Sequence, residues 1–419
     1  MPNLKKYNRG KTSARMRFTT GNDTIQVQTP EKESGKVGIS NNKLKEIALA
    51  AGPLRVGVTP AEPLNYMTER LEKRKKESRI TPFEESNHHL RLSPGHLLRG
   101  SRSIITVAVP YAAPEVKEPK ISGQPAGIVA RCARGLDYHN LVEAHCRRVV
   151  ENLKKECGQT FEYRILCDRS PLIERELARN SGLGIIGENC TLINLEYGSY
   201  TALGTILVTL ELEPDQPNHE YCRQCGQCRQ ACPTGALIEP YIINPYLCLS
   251  YLTQAPGILP RPLRPKLGRH IYGCDICQDS CPHNSGVKKS PLPETAFAFF
   301  PAEPLLLPLL RMTQKEFRTT VSLTSAGWRG KTTLQRNAII ALGNIQDPAS
   351  ERALAVILEN DSRTIIRAHA AWALGRIKTR KALFALEKSY QNDPESEVRK
   401  EAKLALENNR YASFRPGQE

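Results

Sequence analysis

Four cysteines between residues 222 and 232 restrict most strongly what this chain can fold around. The segment reads CRQCGQCRQACP, so two, two and three residues separate Cys222, Cys225, Cys228 and Cys232, and Pro233 follows. This C-x2-C-x2-C-x3-C-P spacing is that of a ferredoxin-type loop, which binds iron-sulphur clusters through its thiolates. The spacing therefore predicts a protein that transfers electrons.

A second set of cysteines follows downstream, in GCDICQDSCP and in NPYLCLSYL. In two-cluster ferredoxins the fourth cysteine of a run ligates the other cluster, so we predict two 4Fe-4S clusters whose ligands cross over. A pair of zinc sites is the alternative, but zinc ribbons rarely need a third cysteine at this spacing followed by Cys-Pro. The predicted ligands are Cys222, Cys225, Cys228 and Cys281 for cluster 1, and Cys232, Cys248, Cys274 and Cys277 for cluster 2.

Size, charge and cysteine usage limit the class of protein. The 419 residues are enough for two to four domains, and no stretch approaches eighteen consecutive apolar residues, so we expect no membrane span. Eight of the 13 cysteines have metal-ligand spacing, which favours a reducing, cytoplasmic location. The formal net charge of +16 favours a polyanionic partner such as nucleic acid.

The chain divides into four predicted segments. Residues 1–40 begin with a basic stretch and are expected to be a disordered tail, with a transit peptide or a nucleic-acid-binding arm as alternatives. Helical and strand patterns alternate over 41–215 and predict an α/β domain with a layered sheet. A ferredoxin-type module is expected over 216–290, and a linker with helical repeats over 291–419.

The C-terminal segment carries an internal repeat. The triplets that begin at Ala341, Ala373 and Ala405 recur every 32 residues at the ends of apolar helical patterns, which is typical of a HEAT-like solenoid. Basic residues follow the inter-repeat turns, where they form either a phosphate-facing rim or an ordinary charged surface. These are Arg363, Arg367, Arg376, Lys378, Arg380, Lys381, Arg399 and Lys400.

Two segments upstream of the cysteines are candidates for chemistry. Asp168 ends a predicted strand over 162–167 and precedes a predicted helix over 171–181, so it is either a general acid that holds its proton in an apolar crevice or a helix N-cap. The segment RCARGLDYH, ending at His139, is either a ligand-contacting loop or a capping Asp137 beside a packed Tyr138. A dinucleotide site is not expected, because no G-x-G-x-x-G follows a strand.

Several blocks together resemble the epoxyqueuosine reductase family, the cobalamin-dependent enzymes that complete queuosine in tRNA. The similarity covers residues 41–419 in a consistent order, and it combines the split cysteine pattern with the DRSPLIER block and the repeats. The blocks are ARGLDYH, CDRSPLIERELARNSGLGIIGEN, GSYTALGTI, CRQCGQCRQACPTGAL, CLSYLT, GRHIYGCDICQDSCPHN and LQRNAIIALGN.

This resemblance implies a cobalamin in a flavin-reductase-like α/β domain, with the two clusters delivering electrons to cobalt. The implied reaction is the two-electron deoxygenation of epoxyqueuosine at the wobble position of tRNA, with Asp168 as the proton donor. An external low-potential electron donor and a monomeric enzyme are expected. The residues implied to contact cobalamin are Cys132, Tyr138, Arg175, Asn189, Leu192, Asn194, Ser250 and Asp275.

The resemblance also implies an RNA-binding surface, for which capping of the first repeat is the alternative role. Glu188 and His283 depart from the family pattern, which would have a basic residue and an aromatic one there. Two other readings remain open: a corrinoid iron-sulphur reductase of a small molecule, as in reductive dehalogenation, and a non-catalytic electron carrier. The expected RNA contacts are Trp328, Arg329, Lys331, Arg336, Asn337, Arg367 and Arg399.

Overall fold

The computed structural model describes residues 39–52, 54–111, 123–168, 170–218, 222–292 and 299–412, and side chains up to residue 407. The predicted basic tail lies almost entirely outside the described residues. The helices are α1 Asn41–Ala50, α2 Thr68–Lys76, α3 His88–Leu92, α4 Tyr138–Cys157, α5 Glu174–Asn180, α6 Gln227–Ala231, α7 Leu249–Leu252, α8 Ile276–Asp279, α9 Leu306–Arg311, α10 Gln314–Thr319, α11 Gly330–Ile345, α12 Glu351–Asn360, α13 Thr364–Ile377, α14 Arg380–Asn392 and α15 Ser396–Ala412. The strands are β1 Arg55–Pro60, β2 Ser103–Pro110, β3 Ile128–Val129, β4 Tyr163–Leu166, β5 Ile185–Ile186, β6 Leu192–Ile193, β7 Thr201–Val208, β8 Leu237–Glu239, β9 Ile242–Ile243 and β10 His270–Tyr272.

The first part of the chain forms a four-stranded sheet in the order β1-β2-β7-β4. Every neighbouring pair in this sheet is antiparallel. All eight residues of β2 are buried, because α1 and α4 cover one face of the sheet and α5 packs on the other. The α/β layering predicted from the sequence is therefore present.

Helix α4 is the element that carries the RCARGLDYH segment to the sheet. Asp137 caps its N-terminus by accepting a hydrogen bond from His139 N, as the sequence allowed. Gly204 on β7 permits a close approach, since a Cβ at that position would lie only 2.5 Å from Val142 Cγ1. The first turn of α4 is thereby fixed beside the end of β4.

The segment after β4 is not helical at once. The predicted helix over 171–181 begins at Glu174 instead, because Ser170 Oγ accepts a hydrogen bond from Leu172 N and holds the chain in a turn. Asp168 has a positive φ of 51° and does not cap α5, so the N-cap alternative is wrong. This leaves the Asp168 carboxylate available for another role.

The cysteine-rich module and the C-terminal helices share one hydrophobic core. Leu267 and Ile271 of the module are fully buried in that core together with Ile339 and Leu374 of the helices. Strand β10 of the module also pairs with β3 of the first domain. The module is therefore held between the two other parts of the chain.

The C-terminal helices stack as the 32-residue period predicts, with α11, α13 and α15 side by side. Glycines at the repeat triplets allow this stacking: a Cβ at Gly343 would meet the ring of Trp372 at 2.7 Å, and one at Gly375 would meet the Cβ of Ala405 at 2.5 Å. Across the described part of the chain, none of the helices combines the length and apolar character that a membrane crossing requires.

Candidate active site

Asp168 lies where the first turn of α4 meets the end of β4, and its side chain is 58% exposed. Its Oδ2 atom accepts a hydrogen bond from Tyr138 Oη at 2.6 Å and lies 3.2 Å from His139 Nε2. Its backbone N–H donates to Glu174 Oε1 at 3.0 Å, which holds the strained backbone in place. The carboxylate is thus oriented by three neighbours and still reaches solvent.

His139 is held on both of its ring nitrogens. Its Nδ1 lies 2.6 Å from Asp137 Oδ1, and its ring stacks on that of Tyr138 with the centroids 4.1 Å apart. Burial opposes the imidazolium charge, but the hydrogen bonds to Asp137 and Asp168 outweigh it and raise the pKa of His139 to about 9. His139 therefore carries a proton at neutral pH.

The same contacts shift the pKa of Asp168 in the opposite direction. The hydrogen bond with His139 opposes the effect of burial and, with that from Tyr138, holds the pKa of the Asp168 carboxyl below its usual value. The expectation that Asp168 keeps its own proton near neutral pH is wrong, because the crevice is polar rather than apolar. The proton resides on the neighbouring imidazole.

Glu174 supplies a second protonated group at this site. Burial, followed by the charge of Asp168, raises the pKa of Glu174 to about 8. At neutral pH two proton carriers, His139 and Glu174, therefore flank one ionised carboxylate. Sequence reasoning included His139 within a candidate loop but missed Glu174, because nothing in its local pattern indicates burial.

The cysteine-rich module reaches this site directly. Asp275 Oδ2 accepts a hydrogen bond from Arg131 N at 2.7 Å, and Asp275 is 7% exposed. Its charge and that of Asp168 both act on the Cys132 thiol, although burial is the main reason that the pKa of Cys132 is raised to about 12. Asp275 follows Cys274 in the sequence, so one group of cysteines adjoins the Asp168 site.

Four thiols surround a single cavity, the one that would hold cluster 1. Four other polar side chains line the same cavity: Glu188, Asn189, Arg223 and His283. Glu188 Oε2 and His283 Nε2 are buried there and have no hydrogen-bond partner among the described residues. The two departures from the family pattern thus lie together at one site. The four cysteines are Cys222, Cys225, Cys228 and Cys281.

The other four cysteines also form a group. Burial first, and then the charges of Cys248 and Cys274, raise the pKa of the Cys277 thiol well above its usual value. Cys232 is an electrostatic neighbour of all three. These four cysteines are the predicted ligands of cluster 2, and Cys228 of the other group is also an electrostatic neighbour of Cys277.

The thiols do not converge as they would around one ion. Nowhere in the described ranges do three Cys, His, Asp or Glu side chains meet closely enough to hold a single metal.

The residues implied to contact cobalamin are not equally available. Leu192 is buried in the α/β domain, and Asn194 is 8% exposed with its amide bonded to Leu183 O, so these two side chains are engaged internally. Arg175 donates to Cys190 O, and its charge helps to lower the pKa of Asp168. Cys132, Tyr138 and Asp275 adjoin the Asp168 site. Asn189 donates to Cys277 O, and Ser250 O accepts from Gln254, so these two lie in or beside the cysteine-rich module.

Two of the expected RNA contacts are structural instead. Arg336 and Asn337 are fully buried, and Arg336 donates to the carbonyls of Ala255 and Gly257 while Asn337 donates to that of Ile271. These side chains fasten α11 to the cysteine-rich module. Because both side chains are buried, the expectation that they contact RNA is wrong.

The other expected contacts differ in exposure. Arg367 is buried and paired with Asp393 at 2.8 Å, and Arg399 donates to Asp393 O, so both stabilise the repeat turn. Lys331 donates to Met312 O and is half-buried. Trp328 is 50% exposed, with Arg329 beside it.

Comparison with known proteins places this geometry in a family. The model described as epoxyqueuosine reductase QueG, DUF1730 matches residues 91–169, the 4Fe-4S double cluster binding domain matches 221–284, and the HEAT repeats match 329–407. The epoxyqueuosine reductase of Bacillus subtilis is 34% identical over 331 residues, which is 79% of this chain and 86% of that protein. The chain belongs to the epoxyqueuosine reductase family.

Solved epoxyqueuosine reductases share the whole fold. One that holds an epoxyqueuosine-modified tRNA-Tyr stem loop is 33% identical, with a TM-score of 0.84, and the match covers 88% of this chain and 98% of that one. The Streptococcus thermophilus epoxyqueuosine reductase gives a TM-score of 0.82 at 33% identity and covers 88% and 99%. The family, the 4Fe-4S double-cluster domain and the HEAT repeats expected from the sequence are confirmed.

Proposed function

We propose that this chain reduces epoxyqueuosine in tRNA to queuosine. The observation that carries the proposal is the Asp168 carboxylate flanked by two proton carriers and adjoined by a cysteine group suited to a 4Fe-4S cluster. Conversion of an epoxide to an alkene consumes two electrons and two protons, and the oxygen leaves as water. At this site His139 and Glu174 hold protons, and the cysteine-rich module would deliver electrons.

Asp168 is proposed as the group that passes protons to the departing oxygen. An alkoxide is a poor leaving group, so the C–O bond breaks more readily when a positioned acid protonates it. The Asp168–His139 pair acts as that acid, because the protonated Nε2 atom of His139 lies 3.2 Å from Oδ2 of the exposed carboxylate. The second proton is available from Glu174, whose Oε1 contacts the same loop.

Cobalamin is the proposed redox cofactor of the domain over 41–215, which we assign as flavin-reductase-like. When bound, it would supply a low-valent cobalt that gives two electrons to the substrate. Tyr138, Asn189 and Ser250 offer hydroxyl and amide groups to the polar edge of a corrin, and Arg175 offers a cation. The half-buried Cys132 and the buried Asp275 would also help to hold it.

The electron path is proposed to run from cluster 1 through cluster 2 to the active site. The cavity of cluster 1 adjoins Glu188 and His283, whereas Cys274 of cluster 2 precedes Asp275, the neighbour of Cys132. Cys228 of the first set is an electrostatic neighbour of Cys277 of the second. An external low-potential donor would then deliver electrons to cluster 1.

Anaerobic assay of the full chain tests this proposal. The protein is purified with reconstituted iron and cobalamin, given a strong chemical reductant and tRNA that contains epoxyqueuosine, and the nucleosides are analysed by mass spectrometry. Queuosine should appear with two electrons consumed for each molecule. A fully loaded protein that leaves epoxyqueuosine unchanged would contradict the proposal.

A further inference from the structure

Four aromatic side chains from three separate segments form a cluster that we call the aromatic platform: Phe83, Tyr246, Tyr251 and Trp328. The ring of Phe83 lies 5.4 Å from that of Tyr251 and 5.3 Å from that of Trp328, and Tyr246 lies 5.3 Å from Tyr251. Trp328 is 50% exposed, Phe83 39% and Tyr246 38%. Large rings that are neither buried nor scattered mark a contact surface.

The platform is held rigidly although it faces solvent. Trp328 Nε1 donates to Gln254 Oε1 at 2.8 Å, and Tyr246 Oη donates to Ile80 O at 2.7 Å. Two of the rings are thus anchored at their polar atoms, while about half of Trp328 and more than a third of Tyr246 stay exposed to a partner. Such preorganised rings lose little conformational entropy when a flat ligand stacks on them.

The charges around the platform favour an anionic partner. The Arg329 guanidinium lies 4.9 Å from the Trp328 ring and 5.1 Å from the Phe83 ring. At the end of the adjoining α2, Lys73, Lys75 and Lys76 are exposed and form no ion pair with any described residue. Of the nearby acids, Glu72, Glu77 and Glu84 are paired with His88, Arg79 and Arg74, and Glu85 accepts a hydrogen bond from Asn87 N.

The platform is also close to the Asp168 site. Leu323 O accepts a hydrogen bond from Asp137 N at 2.9 Å, and Trp328 lies five residues further along the same segment. Five residues span at most about 18 Å. Gln254 also links the platform to the side of the Asp168 site, because its Oε1 accepts hydrogen bonds from both Trp328 Nε1 and Tyr272 Oη.

We propose that the aromatic platform stacks unpaired tRNA bases next to the modified nucleotide, while Arg329 and the α2 lysines hold their phosphates. The inference rests on the proposed function and names the surface that it uses. Unpaired bases are bound by stacking on aromatic and guanidinium planes inside a basic rim, which is the combination present here. A protein partner would not require the phosphate-binding rim.

The test compares the binding of two fluorescein-labelled RNAs to the full chain: an unmodified anticodon stem-loop hairpin and a fully paired duplex of equal length. Trp328→Ala and Phe83→Ala should each weaken hairpin binding by about 5- to 150-fold and leave duplex binding unchanged, because stacking contributes about 1–3 kcal/mol per base. Trp328→Phe keeps a stacking face and should stay within about threefold of the wild type. Phe384→Ala, at a 70% exposed ring on α14, is the matched control and should change neither.

A second readout separates stacking from charge. Combined replacement of Lys73, Lys75 and Lys76 by alanine should lower the slope of log Kd against log salt concentration, whereas Trp328→Ala should not. The platform proposal is overturned if both aromatic variants bind the hairpin as tightly as the wild type and match it in iron content and melting temperature. The reductase proposal would then remain intact. Failure of the wild type to convert modified tRNA removes the reductase proposal, while the binding comparison remains interpretable.

Discussion

His139 Nε2 lies 3.2 Å from Asp168 Oδ2, at an oxygen that also accepts the hydrogen bond of Tyr138. The pair shares one proton, because the two groups shift each other's pKa in opposite directions. An exposed carboxylate with an imidazolium behind it can give a proton to a substrate and recover it from the ring. We therefore propose His139 as a positioning and proton-supplying residue for Asp168.

Replacing Asp168 by asparagine should remove most of the turnover. The amide keeps the size of the side chain but can no longer pass a proton, so kcat should fall by about 100- to 10,000-fold. Iron content and corrinoid binding should match the wild type. Single-turnover assays with prereduced enzyme measure the loss, and Asp279→Asn, at a surface carboxylate paired with Arg131, serves as the control. Normal turnover would show that another group donates the proton.

The pH dependence of turnover should follow the two proton carriers. Activity should fall as the pH rises through about 8, where Glu174 loses its proton, and again through about 9, where His139 does. Glu174→Gln should remove the component near pH 8 and retain that near pH 9. His139 also stabilises the fold, because its pKa is higher in the folded state than in the unfolded one. This contribution is complete below pH 6.5, the pKa of an unfolded histidine, and is lost as the pH rises through about 9.

The control for this profile is His139→Gln, which can hydrogen bond to Asp168 but cannot hold a dissociable proton. Its pH profile should lack the limb near 9, and its kcat should fall more than its KM changes. Profiles of the wild type and the variant that coincide above pH 8 would show that the proton comes from elsewhere.

The cysteine assignment predicts how paired substitutions combine. Cys222→Ala and Cys281→Ala belong to the same set, so the double variant should lose about as much iron as either single one, which is one cluster. Cys281→Ala with Cys277→Ala should lose both clusters. Iron analysis and electron paramagnetic resonance of the reduced proteins measure this. Loss of both clusters in the first double variant would contradict the crossover.

The sequence predicted the 4Fe-4S double-cluster domain and the helical repeats, because both have a characteristic local spacing. The triplets of the repeat place glycines where neighbouring helices touch, and Gly343 and Gly375 do so in the structure. The pKa values at the active site were not predictable, because they depend on the burial of Glu174 and on the contact between Asp168 and His139, which lie 29 residues apart. Trp328 and Arg329 were expected RNA contacts, but their grouping with Phe83 was not predicted, since Phe83 lies 245 residues from Trp328.

Arg336 illustrates most clearly what local pattern cannot show. A basic residue at the start of a repeat resembles an RNA contact, yet this one is fully buried and donates to backbone carbonyls of the cysteine-rich module. Burial, with Arg329 and Arg264 nearby, lowers the pKa of Arg336 to about 10, so it remains charged at neutral pH. Its contribution is to join α11 to the module.

Replacing Arg336 by methionine should therefore destabilise the fold. The variant keeps much of the apolar stem but leaves the carbonyls of Leu252, Ala255 and Gly257 without their donor, which should cost about 2–5 kcal/mol. Urea unfolding followed by the fluorescence of the buried Trp372 measures the change. Arg380→Met, at an exposed position on α14, should alter the unfolding free energy by less than about 0.5 kcal/mol. An Arg336→Met protein as stable as the wild type but weaker in RNA binding would restore the RNA-contact role that the sequence predicted.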